Sequence, residues 1–178
     1  MTGTAILDSN VDFLGTYAEV MLGFVAFTAI TVTLRQSLTG SLTPIQYLLF
    51  RFFVEVGLLS VLYAVIPIGL LFMSFEEPLV WRLTTYWILG TILLYFPFYL
   101  QRRRRTEAPV PFVTILVMVG FAIDVILLLV TVTEVFWQPS RNVIAAHFLW
   151  VLASLMVVFA MVLGSFVEIK KGADQNRI

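Results

Sequence analysis

The residue best placed to do chemistry is Asp124, a carboxyl group inside a long apolar stretch that runs from Phe112 to Phe136. If that stretch is a helix crossing a bilayer, Asp124 lies ~18 Å along it, near the middle of a ~30 Å hydrocarbon core. A carboxylate at that depth costs ~2.5–3.5 kcal/mol. No basic residue is expected at the same depth, so we expect Asp124 to be protonated or hydrogen-bonded to a serine or threonine of a neighbouring helix.

Asp124 therefore has two interpretations. It is a proton relay or an ion-binding carboxyl, or it is a neutral acid that joins two helices by a hydrogen bond contributing ~1 kcal/mol. No second acid is expected at its depth. This favours the structural interpretation slightly.

Glu19 is the second candidate for binding an ion or a proton. Gly15 and Gly23 lie one helical turn before and after it, on the same face. Small residues mark surfaces where membrane helices approach closely. We therefore expect Glu19 to face the bundle, either at the mouth of an outward-facing cavity or packed against a neighbouring polar group.

Arg51 and Glu55 are one helical turn apart and form a candidate pair. The simpler interpretation is a local ion pair at the membrane surface, with the arginine reaching towards water. The alternative is that Arg51 reaches inwards and neutralises a carboxyl group on another helix.

Glu134 and His147 are the second candidate pair. They flank a short loop at similar distances from Ser140, so an antiparallel hairpin would place them at similar height. A carboxylate beside the chain's single histidine would form a pH-sensitive contact. The alternative is that His147 is a polar residue in a helix interface. Two such ligands do not complete a metal site.

A run of four arginines, Arg102 to Arg105, follows the third apolar stretch. Such a run fixes the orientation of the neighbouring helix and attracts anionic lipids of the inner leaflet, at ~1 kcal/mol per residue near the surface. No nucleic-acid-binding module accompanies it, so we expect no nucleic-acid partner.

The elements that position these residues are transmembrane helices. Hydrophobic residues make up 60% of the 178 residues, charged residues 12%, and the formal net charge is +0. A soluble domain carries about 25% charged residues. The apolar stretches are too long, and too apolar on every face, for barrel strands. We predict an all-α bundle of five transmembrane helices at about 13–34, 45–73, 83–100, 112–136 and 143–167, forming a single domain with a short tail over 168–178.

The loops predict the orientation. Basic residues concentrate on one side of the predicted membrane, at Arg35, the four-arginine run and the tail. The side rich in arginine and lysine is cytoplasmic, so we predict the N-terminus outside and the C-terminus inside, in a bacterial cytoplasmic membrane.

The absence of several residues and motifs bounds the function. The chain has no cysteine, one histidine, no lysine in a predicted span and no HExxH or GxSxG motif. We expect no enzyme activity, no metal and no cofactor. The main hypothesis is a non-catalytic scaffold, accessory subunit or self-associating bundle with a membrane partner or a second copy. The alternative is a small proton-coupled transporter or channel that uses Asp124 and Glu19.

Overall fold

The chain folds into a helical bundle. The computed structural model describes residues 3–40, 42–106, 112–134 and 137–175. Within those residues it contains no strand and has five helices, each long and apolar enough to cross a membrane. They are α1 (Gly3–Thr39), α2 (Pro44–Phe72), α3 (Glu77–Arg104), α4 (Phe112–Val132) and α5 (Arg141–Gln175). The predicted number of apolar helices is confirmed for the described part of the chain.

Several helix ends differ from the predicted ones. A helix ends at a residue that caps or breaks it, and this residue can lie beyond the apolar stretch that crosses the membrane. α1 runs on to Thr39, and Gly40 follows with a φ of +85°, which favours glycine. α3 begins at Glu77 and includes Arg102, so it is about ten residues longer than the 83–100 prediction. α5 continues through most of the predicted tail, to Gln175.

The start of α2 is fixed by a capping box. The side chain of Thr43 accepts a hydrogen bond from the Gln46 backbone N–H, and the Gln46 side chain accepts one from the Thr43 backbone N–H. Pro44 occupies the first turn, where its missing N–H has no cost. α2 and α3 both continue through an internal proline, Pro67 and Pro97.

Small residues let the helices pack closely. A Cβ added to Gly57 on α2 would lie 2.3 Å from the Cγ2 of Val25 on α1. A Cβ added to Gly120 on α4 would lie 1.9 Å from the indole of Trp150 on α5. The hydrophobic effect does not drive helices together within lipid, so van der Waals contact at such close approach is a main source of association energy there.

Aromatic rings fill the centre of the bundle. Tyr17 of α1 stacks on Phe148 of α5 with ring centroids 4.1 Å apart. Further along, Phe159 of α5 contacts both Phe24 of α1 and Phe53 of α2. These contacts make α1, α2 and α5 one packed unit, against which α3 and α4 lie.

Candidate functional site

The centre of the candidate site is a hydrogen-bonded pair between α4 and α5. The Nδ1 atom of His147 lies 2.7 Å from the Oδ2 atom of Asp124. Both residues are buried, with 2% of His147 and 8% of Asp124 exposed. No other ion-pair partner of Asp124 occurs in the part of the chain that the structure describes. The expected serine or threonine partner of Asp124 is therefore wrong: its partner is a histidine.

The sequence does not predict this pair, because α4 ends earlier than its apolar stretch suggests. With its last residue at Val132, Asp124 lies eight residues before the end of α4, and His147 lies six residues after the start of α5 at Arg141. Both therefore lie ~9–12 Å from the connection between the two helices. This is closer to one end of the bundle than the predicted midpoint.

The predicted pairing of Glu134 with His147 is wrong for the same reason. Glu134 follows the end of α4, has a φ of +57°, and binds Arg82 of α3 at 2.6 Å. His147 binds Asp124 instead. Counting both positions from the true helix ends would have placed His147 beside Asp124.

A cavity of about 400 Å³ adjoins the Asp124–His147 pair. Its walls come from α2, α3, α4 and α5, and they are almost entirely apolar. The rim residues Leu93 and Phe96 on α3 and Ile126 on α4 are also exposed on the outer surface of the bundle. The cavity therefore opens sideways, between α3 and α4.

Most polar side chains in the cavity wall already have hydrogen-bond partners. Tyr63 bonds to Thr91, whose own hydroxyl donates to backbone oxygens, so Tyr63 is the donor. Ser60 donates to the Val56 oxygen, and Tyr95 donates to Glu55. The Nε2 atom of His147 is different, because it is buried and has no hydrogen-bond partner among the described residues. The sequence does not predict these tyrosines as residues of a site, because nothing in their spacing distinguishes them from aromatic residues at a membrane interface.

The far end of the cavity borders a charged cluster centred on Glu55. Arg51 donates to Glu55 at 2.6 Å, which confirms the predicted local pair. Glu55 also accepts hydrogen bonds from Tyr95 at 2.8 Å and from Arg102 at 2.8 Å, both on α3. The carboxylate therefore joins α2 to α3 as well as binding Arg51.

The four-arginine run has mixed surroundings. Arg102 binds Glu55, and Arg103 donates to the Thr106 hydroxyl at 2.6 Å. Arg104 and Arg105 are exposed. Binding of anionic lipid headgroups by Arg102 to Arg105 stays a prediction, with Arg104 and Arg105 the most accessible members.

The structure corrects the placement of Glu19. α1 buries Leu14, Tyr17 and Met21, and this places Glu19 on the opposite, exposed face. A Cβ added to Gly15 or Gly23 would meet nothing within 4 Å. The large apolar side chains, and not the glycines, select the packed face. Glu19 and Asp124 are therefore not brought together.

At the opposite end of the bundle from the Glu55 cluster, polar contacts fasten α1. Asn10 donates to Glu77 at 2.9 Å, and the indole N–H of Trp81 donates to the same oxygen at 3.0 Å. Arg141 donates to the Ser9 hydroxyl at 3.1 Å. These contacts tie the start of α1 to the starts of α3 and α5.

Among the described residues, no cluster of three or more histidine or acidic side chains could hold a metal ion. No protein-family model, curated protein or solved structure matches the chain. The geometry of the site is therefore the only basis for a functional proposal.

Proposed function

We propose that this chain is a multi-pass membrane protein that binds a lipophilic molecule entering from the bilayer. The observation that carries the proposal is the apolar cavity of about 400 Å³ between α2, α3, α4 and α5. Binding sites for small molecules typically have volumes of ~300–1,000 Å³, apolar walls and a few placed polar groups. The sideways opening between α3 and α4 would give a lipid-dissolved molecule a route that avoids water.

The chemistry of the walls favours binding over catalysis. Phe52, Phe96 and Phe121 supply flat apolar surface, and the His147 ring forms part of the wall. The charged cluster at Glu55 adjoins one end of the cavity. Its carboxylate already binds Arg51 and Arg102 in ion pairs. The scaffold and the proton-coupled carrier stay predictions, and the carrier gains no support from the separation of Glu19 and Asp124.

The cavity proposal is tested by photolabelling protein reconstituted in nanodiscs with an aryl-diazirine probe. We expect saturable labelling of cavity residues on α3 and α4, with decylbenzene competing. Ala122→Phe is expected to reduce this labelling several-fold, because Ala122 lines the cavity and a phenyl group would fill part of it. Modified residues are mapped by mass spectrometry of peptides.

Ala153→Phe is the matched control. Ala153 is also exposed, but it lies on α5 and does not line the cavity. Labelling of the parent protein that rises linearly with probe concentration, with no competition by decylbenzene, would contradict a binding cavity.

We also propose that the N-terminus lies outside and the C-terminus inside, in a bacterial cytoplasmic membrane. The clustering of arginine at the α3 end and its scarcity near the α4–α5 loop support this orientation. Because the chain has no cysteine, single-cysteine variants report it directly. With a membrane-impermeant maleimide on intact cells, we expect Gln138→Cys to react and Gln36→Cys to react only after lysis; the reverse pattern would invert the orientation.

A further inference from the structure

The cavity is long and narrow, and it runs along the bundle. Its lining residues on α2 extend from Phe52 to Tyr63, a length of ~16 Å at 1.5 Å per residue. A volume of about 400 Å³ over that length gives a mean cross-section of ~25 Å², so the cavity is ~5 Å across. Apolar carbon atoms in contact lie ~3.5–4.0 Å apart. The cavity therefore has room for one extended hydrocarbon chain and not for two side by side.

The opening of the cavity and two arginines share one face of α3. The exposed rim residues Leu93 and Phe96 lie on the face that continues through Leu100, which is also exposed. The same spacing of three and four residues brings Arg103 and Arg104 onto this face. The face is therefore apolar beside the opening of the cavity and basic at the end of the helix.

The distance between the cavity and these arginines matches the dimensions of a lipid. Tyr99 is the last residue of α3 that lines the cavity, and Arg104 lies five residues beyond it, ~7.5 Å along the axis. The polar headgroup region of a bilayer is ~5–8 Å deep on each side of the hydrocarbon core. A lipid whose chain occupies the cavity would therefore hold its headgroup at the level of Arg104.

The charge at this end of the bundle favours an anionic headgroup. α2 and the end of α3 contribute one carboxylate there, Glu55, and five arginines, Arg51 and Arg102 to Arg105. Glu55 pairs with Arg51 and Arg102, whereas Arg104 is exposed and forms no ion pair within the described residues. Lipid tails are as apolar as the cavity walls, so a chain gains little by leaving the bilayer. The arginines therefore decide which lipid is bound.

We propose that the cavity binds one acyl chain of an anionic phospholipid, whose phosphate lies at Arg103 and Arg104 while its second chain stays in the bilayer. The sideways opening between α3 and α4 lets the two chains part without either one crossing the polar end of the bundle. The inference rests on the proposed function, since it names the class of molecule that the cavity binds. The lipid enters from the leaflet on the arginine-rich side.

The test uses two phospholipid probes with a diazirine in the middle of one acyl chain. One is a phosphatidylglycerol and the other a phosphatidylcholine, each at the same mole fraction in phosphatidylcholine nanodiscs. The readout is modification of Val151 on α5, which lines the cavity and is only 2% exposed, so lipid surrounding the bundle does not reach it. We expect saturable labelling that is about ten times stronger with the anionic probe.

Arg104→Gln is expected to lower this preference about fivefold, the effect of one arginine near an anionic headgroup. Arg105→Gln is the matched control. It removes the same charge from the neighbouring exposed position, but the helical rotation places Arg105 on the side of α3 away from Leu93 and Phe96. This variant should keep most of the preference. Because both arginines are exposed, both variants should fold.

The two proposals fail in different ways. Absence of saturable labelling with these probes and with the aryl-diazirine removes the cavity proposal, and this inference with it. Saturable aryl-diazirine labelling without modification of Val151 by either phospholipid overturns the inference and leaves the cavity proposal standing. Equal labelling by the two phospholipids, or equal loss of preference in the Arg104→Gln and Arg105→Gln variants, also overturns it. Stronger labelling of Val151 by a diazirine fatty acid than by phosphatidylglycerol would assign the site to a free fatty acid and overturn the phospholipid assignment.

Discussion

Replacing His147 with leucine is expected to lower the free energy of unfolding by about 3 kcal/mol. His147 is the partner of Asp124, and the two groups are buried between α4 and α5. Removing one member of a buried pair leaves the other without its hydrogen bond, which costs ~3–5 kcal/mol for charged pairs and somewhat less where the remaining acid is protonated. The measurement is the SDS-induced loss of helicity in mixed micelles.

The double variant Asp124→Leu/His147→Leu separates this mechanism from loss of packing. With both polar partners replaced by apolar side chains, no buried group is left unsatisfied, and such replacements are often neutral. We therefore expect the double variant to be more stable than His147→Leu alone, with an interaction energy of about 2 kcal/mol. A double variant as unstable as the sum of the two single variants would show that the pair does not contribute through its hydrogen bond.

Gly57→Leu is expected to lower the free energy of unfolding by about 3 kcal/mol. A Cβ at this position would lie 2.3 Å from the Cγ2 of Val25, and valine, with its branched Cβ, has little freedom to move away. Overpacking of this kind costs ~1–3 kcal/mol, and leucine adds three more carbons to the clash. α1 and α2 would have to separate. The same SDS titration measures the loss.

Gly15→Leu is the control for Gly57→Leu. Gly15 also lies within a helix, but a Cβ there would meet nothing within 4 Å. The gain in helix propensity, ~0.8 kcal/mol, should leave that variant as stable as the parent or slightly more so. Equal destabilisation by the two substitutions would indicate a general cost of leucine at glycine positions and would contradict the tight α1–α2 contact.

The sequence predicted the helices but not their rotation about their own axes. Length and hydropathy identify a membrane-spanning segment whatever its neighbours are. Which face is packed depends on the volumes of side chains on several helices at once. Glu19 shows the difference: two glycines indicated a close contact, yet Leu14, Tyr17 and Met21 bury the opposite face.

The site was predicted in part for a related reason. Arg51 and Glu55 are neighbours on one helix, so their spacing alone predicts the bond. The Asp124–His147 pair depends on where α4 ends, and an error of four residues there moves a side chain by ~6 Å along the axis. The contacts of Arg102 and Tyr95 with Glu55 join different helices at a sequence separation of 40 or more, and no local pattern reports them.

The polar contacts at the start of α1 bear on the order of assembly during synthesis. Asn10 finds its acceptor, Glu77, 67 residues later in the chain, and Ser9 finds Arg141 132 residues later. Because the N-terminal part of a chain emerges first, α1 is synthesised before the residues of α3 and α5 that bind its polar side chains. Before α5 is synthesised, the close-packed surface around Gly57 is what holds α1 against α2. The nascent protein therefore acquires its fixed shape only when α5 has been inserted.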